Sequence, residues 1–271
     1  MPIDWRVNML TTGVYSMKSV FALLFFVVFF AAAQAAGQGL PVELIRNMAE
    51  QGDRMAQFNL GIMYANGDGV PADATEAVKW FQLAAEQGDI AAQYNLGIIH
   101  ASGRGVPENE AEAYKWFRLA ANQGDANAQF NVGFMYLTGG GITKDETEAV
   151  NWYRLAAEQG HARAQFTLGY MYSSGSGIDQ DTDEAFRWYS SAAEQGVADA
   201  QYNLSVQYTN GVGVERDLVM AYVWESVAAT QGHENAASNK DISARQLTPE
   251  QLARGEEIVT RCIASAYQDC D

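Results

Sequence analysis

The chain has 271 residues, and 33 acidic against 17 basic side chains give it a formal net charge of −16. A surface of that sign repels phosphate backbones and anionic headgroups, which argues against nucleic acid as a partner. The acids are dispersed rather than clustered, and 48% of the residues are hydrophobic, so the composition reads as a folded core under a solvated acidic face.

At the N-terminus, residues 20–33 form an uncharged apolar run, with Lys18 just before it and Ala33-Gln34-Ala35 just after it. A basic flank, a short apolar stretch and an Ala-x-Ala site describe a secretory signal peptide over residues 1–35, with cleavage near Ala35. Met17 directly precedes Lys18 and reads as the start, which leaves residues 1–16 upstream of it. The alternative is an uncleaved N-terminal anchor, although the run falls short of the roughly 20 residues a spanning helix needs. The expected mature chain is periplasmic or secreted and has no membrane span.

Beyond the leader the text repeats. Trp80, Trp116, Trp152, Trp188 and Trp224 are spaced 36 apart. Gln57, Gln93, Gln129, Gln165 and Gln201 keep the same step, as do the Gln-Gly pairs from Gln51-Gly52 to Gln231-Gly232. A fixed period of this size means stacked supersecondary units. Residues 41–52 align with a second helix alone, as an N-terminal half-repeat. Five full repeats follow at 53–88, 89–124, 125–160, 161–196 and 197–232.

Each unit splits into two helices. Ala56, Leu60, Gly61 and Tyr64 trace the buried stripe of the first, and Asn66-Gly67 ends it. A Gly-x-Gly loop leads to an Asx, with Glu three residues later in four units, which resembles a capping box opening the second helix. Its inward stripe is Ala77, Trp80, Phe81, Ala84 and Ala85. Gly61, Gly97, Gly133 and Gly169 lie inside helices, where each costs about 1 kcal/mol relative to Ala, so a close helix crossing beneath a Trp is expected there. Residues 233–271 hold a degenerate first helix and a capping helix that starts at Thr248-Pro249, which makes thirteen helices and no strands.

Only two cysteines exist, Cys262 and Cys270. In an oxidising compartment they are expected to pair. Eight residues of unbroken helix span about 12 Å, too far for a disulfide, so the chain has to turn back after about Tyr267.

The text Ala-Gln-Phe-Asn-Leu-Gly-Ile-Met-Tyr-Ala-Asn-Gly-Asp-Gly-Val at 56–70 and Glu-Ala-Val-Lys-Trp-Phe-Gln-Leu-Ala-Ala-Glu-Gln-Gly at 76–88 resembles the Sel1-like repeat of the tetratricopeptide-like superfamily. The resemblance covers about 41–266 and implies an all-α, right-handed α/α superhelical solenoid acting as an adaptor. It implies that first helices line the concave face. There, Asn59, Asn95, Asn131, Thr167 and Asn203 form a ladder that either grips a peptide backbone or bonds neighbouring repeat loops. Beside it Ile98, Phe134, Tyr170, Met135 and Met171 either receive an apolar partner segment or fill the core.

Enzyme signatures are not found. There is no Ser-x-x-Lys and no Gly-x-Ser-x-Gly, and Ala237 stands where a zinc-protease pattern begun at His233-Glu234 needs its second His. His100, His161 and His233 occupy repeat positions and read as structural substitutions. Asp179-Gln-Asp181-Thr-Asp183 opens like a calcium loop but lacks the later Gly and Glu. The expectation is an exported, non-enzymatic scaffold without catalytic residues, cofactor or metal, which binds a protein or peptide. The alternative is a β-lactam-recognising or cell-wall-associated enzyme of the cysteine-rich Sel1-like type. That branch carries cysteine pairs within its units, and the five units here contain none.

Overall fold

The computed structural model describes residues 41–270, and the expected signal peptide lies outside them. Among the described residues there are thirteen α-helices and no strand. The lone α1 (Val42–Glu50) is followed by five pairs. These are α2 (Arg54–Asn66) with α3 (Ala74–Glu86), α4 (Ile90–Ser102) with α5 (Glu110–Asn122), and α6 (Ala126–Thr138) with α7 (Glu146–Glu158). Then come α8 (Ala162–Ser174) with α9 (Thr182–Ala193) and α10 (Ala198–Asn210) with α11 (Leu218–Thr230). The chain closes with α12 (Glu234–Ala244) and α13 (Pro249–Ala264). From α1 to α12 each helix packs on its sequence neighbours, while α13 packs on α11, and the core is a string of small clusters, as a one-dimensional stack requires.

Local chemistry sets the helix ends. Asp53, Asp89 and Asp125 each accept the N–H three residues on, at 2.8, 2.9 and 2.7 Å. His161 and His233 do the same through Nδ1, both at 3.1 Å, so these histidines replace Asp as helix caps. At the second helices Asp73 accepts from Thr75 and Glu76, while its own N–H donates to the Tyr64 carbonyl at 2.9 Å. That bond ties the two helices together, so the reciprocal half of a capping box is not needed here. Glu76 pairs with Lys79 instead. Among the described residues the full box forms at Thr248 alone, whose N–H is taken by Gln251.

Sequence reasoning placed a Trp against the helix glycines, and the structure corrects this. A Cβ on Gly61 would come within 2.7 Å of the Phe81 ring, and one on Gly133 within 3.0 Å of Tyr153. The residue after each Trp therefore seats on the glycine of its own unit. The Trp, about 100° further round the helix, reaches the unit before it. Trp116, Trp152 and Trp188 pack against the cores built on Phe81, Phe117 and Tyr153. Trp80 and Trp224 are buried and the other three repeat indoles partly so.

The repeated glutamines form a second, polar seam. Gln57 Nε2 donates to the Ala49 carbonyl at 3.1 Å, and its Oε1 accepts from Gln87 at 2.7 Å. The pattern recurs to Gln201, with Ala193 and Gln231. One buried amide thus joins three helices and leaves no donor stranded. The loop glycines Gly103 and Gly105 are both left-handed, at φ 68° and 84°, and a Cβ on Gly105 would in addition lie 2.6 Å from Ala74 of the preceding unit.

At the C-terminal end α13 crosses α11 where a Cβ on Gly255 would be 2.9 Å from the Tyr222 ring. Ala266 and Tyr267 take positive φ, at 52° and 70°, and reverse the chain. Cys262 and Cys270 are disulfide-bonded, with Cα atoms 4.4 Å apart. The turn seats Tyr267 over Gly196 and lets Gln268 donate to the Glu194 carbonyl at 2.8 Å. The closed tail is thereby held to the α9–α10 turn.

Candidate functional site

First helices bury Ala56, Gln57, Leu60 and Gly61 and their equivalents. The opposite stripe, at positions 55, 59, 62 and 66, is left open by the 3.6-residue period. It carries Ile98, Phe134 and Tyr170, the last two 52% and 56% exposed. Large aromatics this open, repeated at one register, are the feature of the surface that calls for a role.

Met135 and Met171 do not belong to this stripe. They are buried in the cores around Tyr153 and Phe117, so of the two readings open for them the structure gives core filling. The reason is angular: one residue beyond Phe134 or Tyr170 turns the side chain about 100° inward.

The Asn ladder divides similarly. Asn95 donates to the Ala91 carbonyl at 2.8 Å, Asn131 to Asn127 at 3.0 Å, and Thr167 to Arg163 at 2.8 Å. Asn203 bonds the Tyr189 hydroxyl. Asn95, Asn131 and Thr167 therefore bond within their own helices, whereas Asn203 reaches back to the unit before it. Asn59 is exposed.

Two members of the face escaped sequence reasoning. Ile242 lies one period beyond Val206 and is 54% exposed, and Asn239 lies one period beyond Asn203. The signal was present as spacing, but α12 lacks the flanking aromatics that mark the other units.

Between neighbouring first helices the face deepens. A pocket of about 170 Å³ is walled by Ile62 and Asn66 on α2 and by Asn95, Ile98 and Ser102 on α4, with Phe81 of α3 beneath. Arg104 bonds the Ala65 carbonyl at 3.3 Å across its rim. Such a recess fits one apolar side chain of an extended segment. The face is nearly free of charge, since α2, α4, α6 and α8 contain no Asp or Glu. In these four units the acids lie on second helices, at caps and in loops.

Among the described residues no group of three His, Cys, Asp or Glu is arranged to hold a metal ion, and no helix is long and apolar enough to cross a membrane. Asp181, in the stretch that opens like a calcium loop, caps α9 by accepting from Asp183 and Glu184.

The Sel1 repeat matches the chain five times, at residues 54–89, 90–125, 126–161, 162–197 and 198–233. Among solved structures, the chain is 37% identical to a protective antigen of uropathogenic Escherichia coli strains that displays an SLR fold. The TM-score is 0.74, and the alignment covers 81% of this chain and 48% of the antigen, so the chain spans about half the antigen's length. It is 31% identical to a Sel1 repeat protein from Oxalobacter formigenes, with a TM-score of 0.68 and coverage of 85% and 94%. No curated protein matches the chain.

Proposed function

The chain belongs to the Sel1 repeat family, whose members commonly serve as protein–protein interaction scaffolds, and from that premise we propose that it is an exported adaptor that binds a peptide segment along its first-helix face. The observation that carries this reading is the exposed row Ile98, Phe134, Tyr170 and Ile242 at one register. The fold already uses its aromatics at positions 80 and 81 for packing, so the open row has no structural duty. An extended segment laid across it would set apolar side chains into the clefts between first helices. The acidic second helices would keep the outer face soluble.

Export is part of the proposal. It rests on the signal-like text at 1–35 and on the Cys262–Cys270 disulfide, a bond that persists in oxidising compartments. The native location is the periplasm or the exterior. No residue constellation supports a catalytic role, and the chain is read as a non-enzyme.

The test is affinity capture from an envelope extract with wild type and with Phe134→Ala/Tyr170→Ala. A defined partner retained by wild type and lost by the double variant, at unchanged thermal stability, is the expected result. Equal capture by both would remove the face from the mechanism. The intact mass of the exported form should show loss of about 35 residues, and an unprocessed N-terminus would speak for an anchor instead.

A further inference from the structure

The floor of the first-helix face changes character along the stack. At the position of Phe81 the later units carry Phe117, Tyr153, Tyr189 and finally Glu225. Its neighbours change with it. Gly61, Gly97, Gly133 and Gly169 give way to Ser205, and the apolar position of Ile99, Met135 and Met171 becomes Ser243. The last of these positions is already polar at Gln207, and in the fifth unit all three are polar.

Glu225 is 2% exposed, as is Phe81. Phe81 nevertheless forms the floor of the pocket between α2 and α4, so this depth is compatible with contact to a bound side chain. By register, the place equivalent to that pocket lies between α10 and α12, where Val206, Asn239 and Ile242 stand at the positions of Ile62, Asn95 and Ile98. Glu225 is hydrogen-bonded to Ser243, while its Oε2 is buried and has no partner. Burying a carboxyl oxygen without a partner costs about 1–3 kcal/mol. Four upstream units show that the fold accepts an aromatic here.

Charge on the face agrees with the floor. The open stripe upstream carries no carboxylate, whereas α10 places the exposed Asp199 on it, at the register of Met55 and 3.4 Å from His233. Asp199 is the one carboxylate on the stripe among the described residues, and it lies at the C-terminal end.

We propose that Glu225 is a cation-accepting subsite at this end of the face, which takes the guanidinium or ammonium of an Arg or Lys side chain in the bound peptide. The inference rests on the peptide-binding reading above and adds polarity to it. The apolar part of the segment lies over Phe81 and Ile98, and a basic residue lies over Glu225. Oε2 accepts the incoming N–H, and Ser243 continues to hold the other oxygen. The charge-assisted bond satisfies the orphaned atom where water is excluded.

The test uses the full chain with two small probes, N-acetyl-arginine amide and N-acetyl-citrulline amide, which differ in side-chain charge alone, with affinity read by calorimetry and, in wild type, by the carbon-13 shift of the Glu225 carboxyl. The arginine probe is expected to give a saturable shift, the citrulline probe none, and Glu225→Gln is expected to weaken binding of the arginine probe at least tenfold. Equal response to both probes, no response to the arginine probe, or undiminished binding by Glu225→Gln overturns the subsite. The wild-type comparison decides the matter if the variant fails to fold. Such a failure with partner capture still dependent on Phe134 and Tyr170 counts against the subsite alone, and loss of that dependence counts against the face itself.

Discussion

The second and fifth units share one backbone plan and differ in what fills it. In the second, Phe117 lies on Gly97 and packs with Met135, so the three places are all apolar. In the fifth, Ser205, Glu225 and Ser243 occupy the same three places, and a carboxyl is buried with one oxygen unpaired. A solenoid tolerates this because each junction is stabilised mainly by its immediate neighbours. α13 packs on α11 at Tyr222 and Val219, and α11 is buried almost throughout. A repeat can therefore trade packing for chemistry at its end without disturbing the units upstream.

The comparison breaks most readily where packing is deepest. Tyr153 is fully buried, so Tyr153→Ala should destabilise the fold by roughly 3–5 kcal/mol, measured by denaturant unfolding. Trp152, partly buried in the seam between units, should cost less when replaced by Ala, and equal costs would contradict the division of labour between the two aromatics. Gly61→Ala forces a methyl against the Phe81 ring and should cost about 1–3 kcal/mol, whereas Gly88→Ala meets no atom and should suffer only the strain of its φ of 84°.

The fifth unit should respond in the opposite sense. Ser205→Gly with Glu225→Phe rebuilds the standard junction and should stabilise the chain by about 1–3 kcal/mol near neutral pH, through loss of the orphaned oxygen. Burial raises the Glu225 carboxyl above its ordinary range, against a smaller lowering from its bond to Ser243. The native state therefore holds this proton more tightly than the unfolded chain does. The contribution is fully present below the unfolded carboxyl value and is lost as pH rises through the folded one. Comparing Glu225→Gln with wild type should reveal it as a gap in melting temperature that widens from acid toward neutral pH. A constant gap would show that the carboxyl does not titrate differently on folding.

His161 supplies the reverse slope. Burial lowers its imidazole, so its stabilising share is present above the unfolded value and is lost as pH falls through the folded one. His161→Asp, which restores the cap used by three other units, should remove that acid sensitivity. The smallest effect belongs to the open row: Phe134→Ser should change stability by no more than about 0.5 kcal/mol while abolishing capture of the partner.

Much of this was legible in the text. The period of 36, the glycines and the Asx caps specified thirteen helices, and their chemistry is local. The open stripe was partly legible, since Phe134 and Tyr170 lie at its register. Met135 and Met171 lie one step away, and a sequence alone did not say that this step turns them into the core.

Sequence by itself determined the repeat and its helices, because spacing, capping and left-handed turns act within a few residues. It also required Cys262 and Cys270 to meet only if the chain turned, which the positive φ of Ala266 and Tyr267 accomplishes. Tertiary structure alone decided which aromatic meets the glycine, which glutamines bond and where Glu225 is buried. Those contacts join residues about 20 to 30 apart, as between Gly61 and Phe81 or Gln57 and Gln87. They depend on how one helix is rotated against the next, a quantity fixed by packing rather than by any local run of residues.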